Sequence, residues 1–140
     1  MKELILEWAK DRNLLNYSFA PKQQLKLIEE CGEIAQAIIK NDIDKIKDGI
    51  GDVFVVLTIL KKQRGDKDTS TNFDFISDPH NIIFQILNSA IEFENCDLAI
   101  SYLHDLANSL DVDLNECVEL AYNEIKNRKG KTINGSFIKE

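Results

Sequence analysis

Glu29, Glu30 and Glu33 place three carboxylates within one short stretch, and Asp48 and Asp52 place two more one helical turn apart. On a helix that advances about 100° per residue, the three glutamates share an arc of roughly 100°, with Lys26 inside it. Glu30 and Glu33 are i, i+3 neighbours; Glu29 and Glu33 are i, i+4. Like charges at those spacings destabilise an isolated helix by about 0.2–0.5 kcal/mol per pair. Two readings answer that cost. The stripe is a solvated polar face, since glutamate is a good helix former, or its hard oxygens converge on a divalent cation such as Mg²⁺.

Asp52 tips the balance. Val55, Val56 and Ile59 follow it on the same face, and Val53, Phe54, Val55, Val56, Leu57, Ile59 and Leu60 leave the helix apolar all round. Such a helix is buried. A carboxylate that points inward needs a cation or hydrogen bonds. Gly49 and Gly51 each cost a helix interior about 1 kcal/mol relative to alanine. They suit a close approach by a ligand or by another helix, and in the second case a lysine would satisfy Asp52.

A third cluster is basic: Lys126, Arg128, Lys129 and Lys131. Cations at a helix C-terminus complement its dipole; they also bind polyphosphate. Phosphoanhydride chemistry uses carboxylate-held Mg²⁺ to polarise phosphoryl oxygens and orient water, with cations holding the phosphate charge.

The elements that must position these groups are helical. The spacing predicts a first helix over about 2–13, with Leu4, Ile5, Trp8 and Ala9 on one face. A second runs from about Pro21 to Lys40, its apolar half formed by Leu25, Ile28, Cys31, Ile34, Ala35, Ile38 and Ile39. A third runs from near Asp42 to before Gly65. Residues 66–78 form a polar loop, where Phe73 and Phe75 either dock the loop or lid a site. Ile82, Ile83, Ile86, Leu87, Ala90 and Ile91 keep helical spacing from Pro79, capped by Ser77 or Asp78, to about Phe93. A fifth helix spans about 97–110. A capping box, Asp113 to Glu116, opens the last, which ends near Gly130. Asn134-Gly135 is a turn signal, but its flanks are too short to specify a hairpin. The expectation is one all-α domain over residues 1–140 with an extended tail from about 130.

The 140 residues carry a net charge of −7 and 44% apolar residues. That acidity argues against nucleic-acid coating and anionic-membrane binding. The longest unbroken apolar run, Val53–Leu57, is too short to span a bilayer, and the N-terminus lacks a signal-peptide core. Cys31, Cys96 and Cys117 lack Cys-x-x-Cys spacing and read as reduced thiols of a cytoplasmic protein. His80 and His104 lack partners at ligand spacing. Trp8 and Phe19 fit a core or interface better than a base-stacking role.

Gln23 to Glu33 (QQLKLIEECGE), followed by Asp48 to Val53 (DGIGDV), resembles the all-α nucleoside triphosphate pyrophosphohydrolases of the MazG-like group. Their signature is Glu-x-x-Glu on one helix and Glu-x-x-Asp on the next. Asn123 to Lys131 (NEIKNRKGK) is also similar to MazG-like tails. The resemblance spans about residues 4–62 and 112–139. It implies a Mg²⁺-dependent cleavage of a nucleoside triphosphate between the α- and β-phosphates, in homodimers or homotetramers of helical bundles. It implies Glu30, Glu33 and Asp52 as metal ligands and Glu29 as the group that positions or deprotonates water. Lys26, Lys126, Arg128 and Lys129 are the implied phosphate contacts, with Asn123 and Gln23 toward sugar or base. Gly49 stands where the second pair should begin with glutamate. Either Asp48 substitutes as a ligand, or the site has one ligand fewer and is slow or silent. The rivals are a hydrolase of another pyrophosphate-containing nucleotide and a nucleotide-sensing protein that kept the fold without the rate.

Overall fold

The computed structural model describes residues 1–69 and 78–140. Its six α-helices are α1 (Lys2–Asp11), α2 (Ala20–Ile39), α3 (Ile43–Arg64), α4 (Pro79–Leu87), α5 (Cys96–Ser109) and α6 (Leu114–Ile125). Short polar side chains set four of the starts. Asp42, Asp78, Asn95 and Asp113 each accept a backbone N–H of the turn they precede, the groups that a helix N-terminus leaves unbonded. The expected capping box at α6 is only half formed. Asp113 accepts from the Asn115 N–H, whereas Glu116 accepts from Lys47 Nζ at 3.5 Å, tying α6 to α3. Ser77, Phe73 and Phe75 lie outside the described residues.

The central element is α3, which packs against α1, α2, α5 and α6. Every residue from Val53 to Leu60 is buried. Thr58, the polar member of that run, donates its hydroxyl to the Phe54 carbonyl at 2.8 Å. The apolar segment is thus covered by its own chain.

The inward face of α2 differs from the helical-wheel expectation. Its buried residues are Ala20, Gln23, Leu27, Glu30, Cys31, Ile34 and Ala37. Leu25, Ile28 and Ile39, expected to point inward, are 66%, 47% and 80% exposed. The helix has two apolar stripes, one in the core and one outside, and a single-face wheel merges them. The same rotation carries Glu30 from the expected polar arc into the interior.

Besides a 3₁₀ turn at Tyr17–Phe19, two described segments depart from α-helix. The end of α4 widens into a π-turn at Asn88–Glu92. The looser turn leaves the Ala90 carbonyl to accept from Arg64 Nη1 at 2.7 Å, in keeping with π-bulges as local interruptions of the helical ladder. The tail folds as an antiparallel hairpin of β1 (Gly130–Ile133) and β2 (Ser136–Lys139). Asn134 and Gly135 join the strands with φ of 50° and 82°, the left-handed pair that a tight type I′ turn requires. An extended tail without a specified hairpin is corrected accordingly. Phe137 meets Trp8 edge-on with ring centres 5.2 Å apart, which lays the hairpin against α1. Among the described residues, no helix is long and apolar enough to cross a membrane. Cys31, Cys96 and Cys117 are all buried thiols without disulfides.

Candidate active site

The site is built where α2 and α6 meet the first half of α3. Gly49 and Gly51 make both meetings close. A Cβ at Gly49 would stand 2.6 Å from the Ile34 side chain of α2; one at Gly51 would stand 2.2 Å from the Cys117 carbonyl oxygen of α6. Both distances lie well inside van der Waals contact. The glycines are therefore explained by helix crossing, one of the two uses expected of them. The lysine expected to satisfy Asp52 in that case is absent. Among the described residues, no cation pairs with Asp52.

From α2, Glu30 projects inward and is 6% exposed. Its Oε1 lies 3.2 Å from Lys26 Nζ, while Oε2 is buried with no hydrogen-bond partner. Lys26 also donates to Glu29 Oε1 at 2.7 Å, so one ammonium group serves two carboxylates. A buried, unpartnered carboxylate oxygen is costly. Burial pushes the Glu30 pKa above the usual carboxylate range; Lys26 opposes that, and Glu33 adds to it. Burial lowers the Lys26 pKa, but its bonds to Glu29 and the charge of Glu30 outweigh it and leave the value raised.

From α3, Asp52 faces the same place. Its pKa is pushed up to about 7, first by burial and then by the charges of Glu30, Glu124, Asp48 and Glu33. Asp48, one turn earlier and more exposed, is raised by slight burial and then by Glu124, Asp44 and Asp42. The structure thus brings Glu30, Glu33, Asp48 and Asp52 into one electrostatic neighbourhood. It adds Glu124, which the sequence reading passed over although it stands inside the Asn123–Lys131 run. Glu29 stands at the rim, turned toward Lys26.

The expected substrate contacts are placed less uniformly. Gln23 is buried within α2. Arg128 Nη2 donates to Glu124 Oε1 at 3.0 Å, one turn back. Asn123, Lys126 and Lys129 are exposed. The backbone of this basic segment is held firmly. Trp8 Nε1 donates to the Ile125 carbonyl at 3.0 Å, and Arg12 Nη2 donates to the Arg128 carbonyl at 2.7 Å. Trp8 therefore has the core role expected of it, and Phe19 packs against Gly135 of the hairpin turn. His80 pairs with Asp78 at 2.8 Å on the surface, outside the site.

The donor set is all oxygen, hard and anionic, which suits Mg²⁺ better than a softer metal. The buried Oε2 of Glu30 is the atom that fits this use best. Among the described residues, no three of these groups converge tightly enough to grip an ion as they stand. Lys26 holds Glu30 and Arg128 holds Glu124. Closing on a cation would exchange those pairs.

Residues 22–77 match the family model for the MazG nucleotide pyrophosphohydrolase domain. The chain is also similar to an uncharacterized 18.2 kDa protein in the rep-hol intergenic region of Haemophilus phage HP1 (strain HP1c1). The two are 54% identical over 59 residues, which is 42% of this chain and 36% of that relative. The chain therefore spans well under half of the relative it matches. No solved structure matches it.

Proposed function

From a chain that is MazG-like over residues 22–77, we propose a Mg²⁺-dependent pyrophosphohydrolase that converts a nucleoside triphosphate, ribo or deoxy, to the monophosphate and pyrophosphate. The observation that carries this reading is the buried, unpartnered Oε2 of Glu30 beside Asp52 in the matched helix pair. Evolving a polar group into a core at that cost is intelligible if a cation completes it.

Glu30, Glu33, Asp48 and Asp52 would hold the ion. Bound there, Mg²⁺ neutralises phosphate oxygens and orients water. Lys126, Lys129 and Arg128 supply the cationic side of the triphosphate pocket, and Lys26 supplies it from α2. Asn123, on the exposed side of α6, is placed to meet sugar or base; Gln23 would act from beneath the surface. Glu29 Oε1 is occupied by Lys26, so its Oε2 is the atom that accepts the proton of the attacking water. The water oxygen bonds to the α-phosphorus, the bridge to the β-phosphate breaks, and pyrophosphate leaves with that bridging oxygen.

The outer stripe of α2, Leu25, Ile28 and Ile39, supports a homodimer or homotetramer, because an exposed apolar stripe marks an interaction surface. The acidic surface favours neither nucleic acid nor anionic membrane as partner, and the three buried thiols fit the reducing cytoplasm.

The test is a panel of nucleoside triphosphates with Mg²⁺ in which monophosphate, diphosphate, pyrophosphate and orthophosphate are all measured. Monophosphate and pyrophosphate in equal amounts are expected. Diphosphate with orthophosphate would overturn attack at the α-phosphorus. A second reading, a nucleotide sensor without turnover, is favoured by one observation: Gly49 has no room for the carboxylate its family carries. Metal- and nucleotide-dependent thermal stabilisation with no product would select it.

A further inference from the structure

We infer that Glu124 of α6 supplies a fifth carboxylate to the metal site, doing from a third helix what Gly49 cannot do from α3. This rests on the metal-site reading above and adds a ligand to it.

Neither position 49 nor Asp48 does on α3 what a glutamate from a third helix can do. Position 49 faces α2, where a Cβ would already lie 2.6 Å from Ile34 Cγ1. A glutamate there would push the two helices apart. Asp48 does not share that obstacle, and like Glu124 it is exposed, but its side chain is shorter than glutamate.

Glu124 arrives by a different route. The α6 helix touches Gly51 through Cys117 and Ala121, whose Cβ would be 2.9 Å from a Cβ at 51. Cys117, Ala121, Glu124 and Arg128 repeat at i, i+4, i+7 and i+11, one stripe of a helix. The crossing at Gly51 thus directs the next turn of α6 along α3 beside Asp52 and Asp48. Among the charges acting on Asp52, Glu124 ranks after Glu30 alone, and on Asp48 it ranks first. The buried Oε2 of Glu30 points to a ligand in this same neighbourhood independently of Glu124. Arg128 now holds Glu124 at 3.0 Å. When Glu124 turns to the cation, Arg128 is released one turn away, where a triphosphate needs it. The glutamate and the arginine would therefore change partners together.

The experiment is Mn²⁺ binding, used as a spectroscopic stand-in for Mg²⁺ and read by electron paramagnetic resonance and calorimetry without nucleotide. It compares the unaltered chain with Glu124→Gln, Glu33→Gln and Glu119→Gln, the last an exposed acid elsewhere on α6. Thermal melts of the metal-free proteins check that each is folded. Expected is a loss of at least about tenfold in Mn²⁺ affinity for Glu124→Gln, as for groups that tune or hold a metal, and no change for Glu119→Gln. Glu124→Gln binding as the unaltered chain does, while Glu33→Gln loses binding, would overturn the inference and leave the site reading intact. No Mn²⁺ binding by the unaltered chain would overturn both.

Discussion

The two ends of α3 handle charge in opposite ways. Toward its C-terminus, Arg64 meets Asp66 at 2.6 and 3.1 Å, and both side chains are nearly fully buried, at 6% and 5% exposure. Arg64 also donates to the Ala90 carbonyl, and Lys61 is bonded to Asp97 at 2.9 Å and to Asp68. Arg64 and Lys61 there each have a counter-ion. Toward the N-terminus, Asp48 and Asp52 stand among Glu30, Glu33 and Glu124 with Lys26 and Arg128 as the only nearby pairing cations among the described residues. One helix therefore carries a closed structural network and an open, unneutralised one. A fold that can neutralise charge at one end has no architectural need to leave it unneutralised at the other. On the proposed function, the open end is where a cation would bind.

Substitutions should separate the two ends. The largest effect falls on the closed end. Arg64→Met leaves Asp66 and the Ala90 carbonyl buried without a partner, at about 3–5 kcal/mol. Urea denaturation should show that loss, with activity per folded molecule retained. At the open end, Glu33→Gln should lower kcat/KM at least about a hundredfold, more than is typical for residues that merely support a metal ligand, while the fold persists in the same denaturation assay. If both substitutions acted on stability alone, the contrast between the ends would collapse.

Asp52 gives the contrast a sign. Its pKa is about 7 in the fold against an ordinary 3.8, so the folded state binds the proton more tightly than the unfolded one. The stability this proton contributes is full below about pH 4. It is lost as pH rises toward about 7, and the loss is constant above that. Asp52→Asn removes the ionisation cost. In metal-free buffer it should stabilise the protein at pH 8, by on the order of 1–2 kcal/mol once solvent at the rim is allowed for, and leave it unchanged at pH 3.5. Thermal melts at both pH values check this; destabilisation at pH 8 would mean that Asp52 is satisfied after all. The smallest effect is that of Lys61→Met, whose pairs with the exposed Asp68 and the partly buried Asp97 should cost about 1 kcal/mol or less in the same melts.

Much of this was legible in the residues. Helix order and most helix ends follow from proline placement, short polar caps and i, i+3, i+4 spacing. Asp52 was readable as inward because the turns after it are apolar all round. The face of α2 was not readable, because Leu25, Ile28 and Ile39 are as apolar as the residues that reach the core. Nothing local says which stripe meets α3. The hairpin hid for a different reason: four-residue strands are too short to show a period, and only Asn134-Gly135 signalled the turn. Glu124 lay inside the Asn123–Lys131 run, but nothing local tied it to the carboxylates of α2 and α3. Its place depends on α6 crossing α3 at Gly51, a contact between distant parts of the chain.

Trp8 is the only tryptophan of the chain, and its indole N–H is bonded to a carbonyl 117 residues away. That bond joins the first helix to the end of the last, a closure whose entropy must be met before the contact stabilises anything. The tryptophan is thus a native fluorophore placed at one of the last contacts a folding chain could complete. Its emission should report when the basic segment beside it has been delivered to its seat.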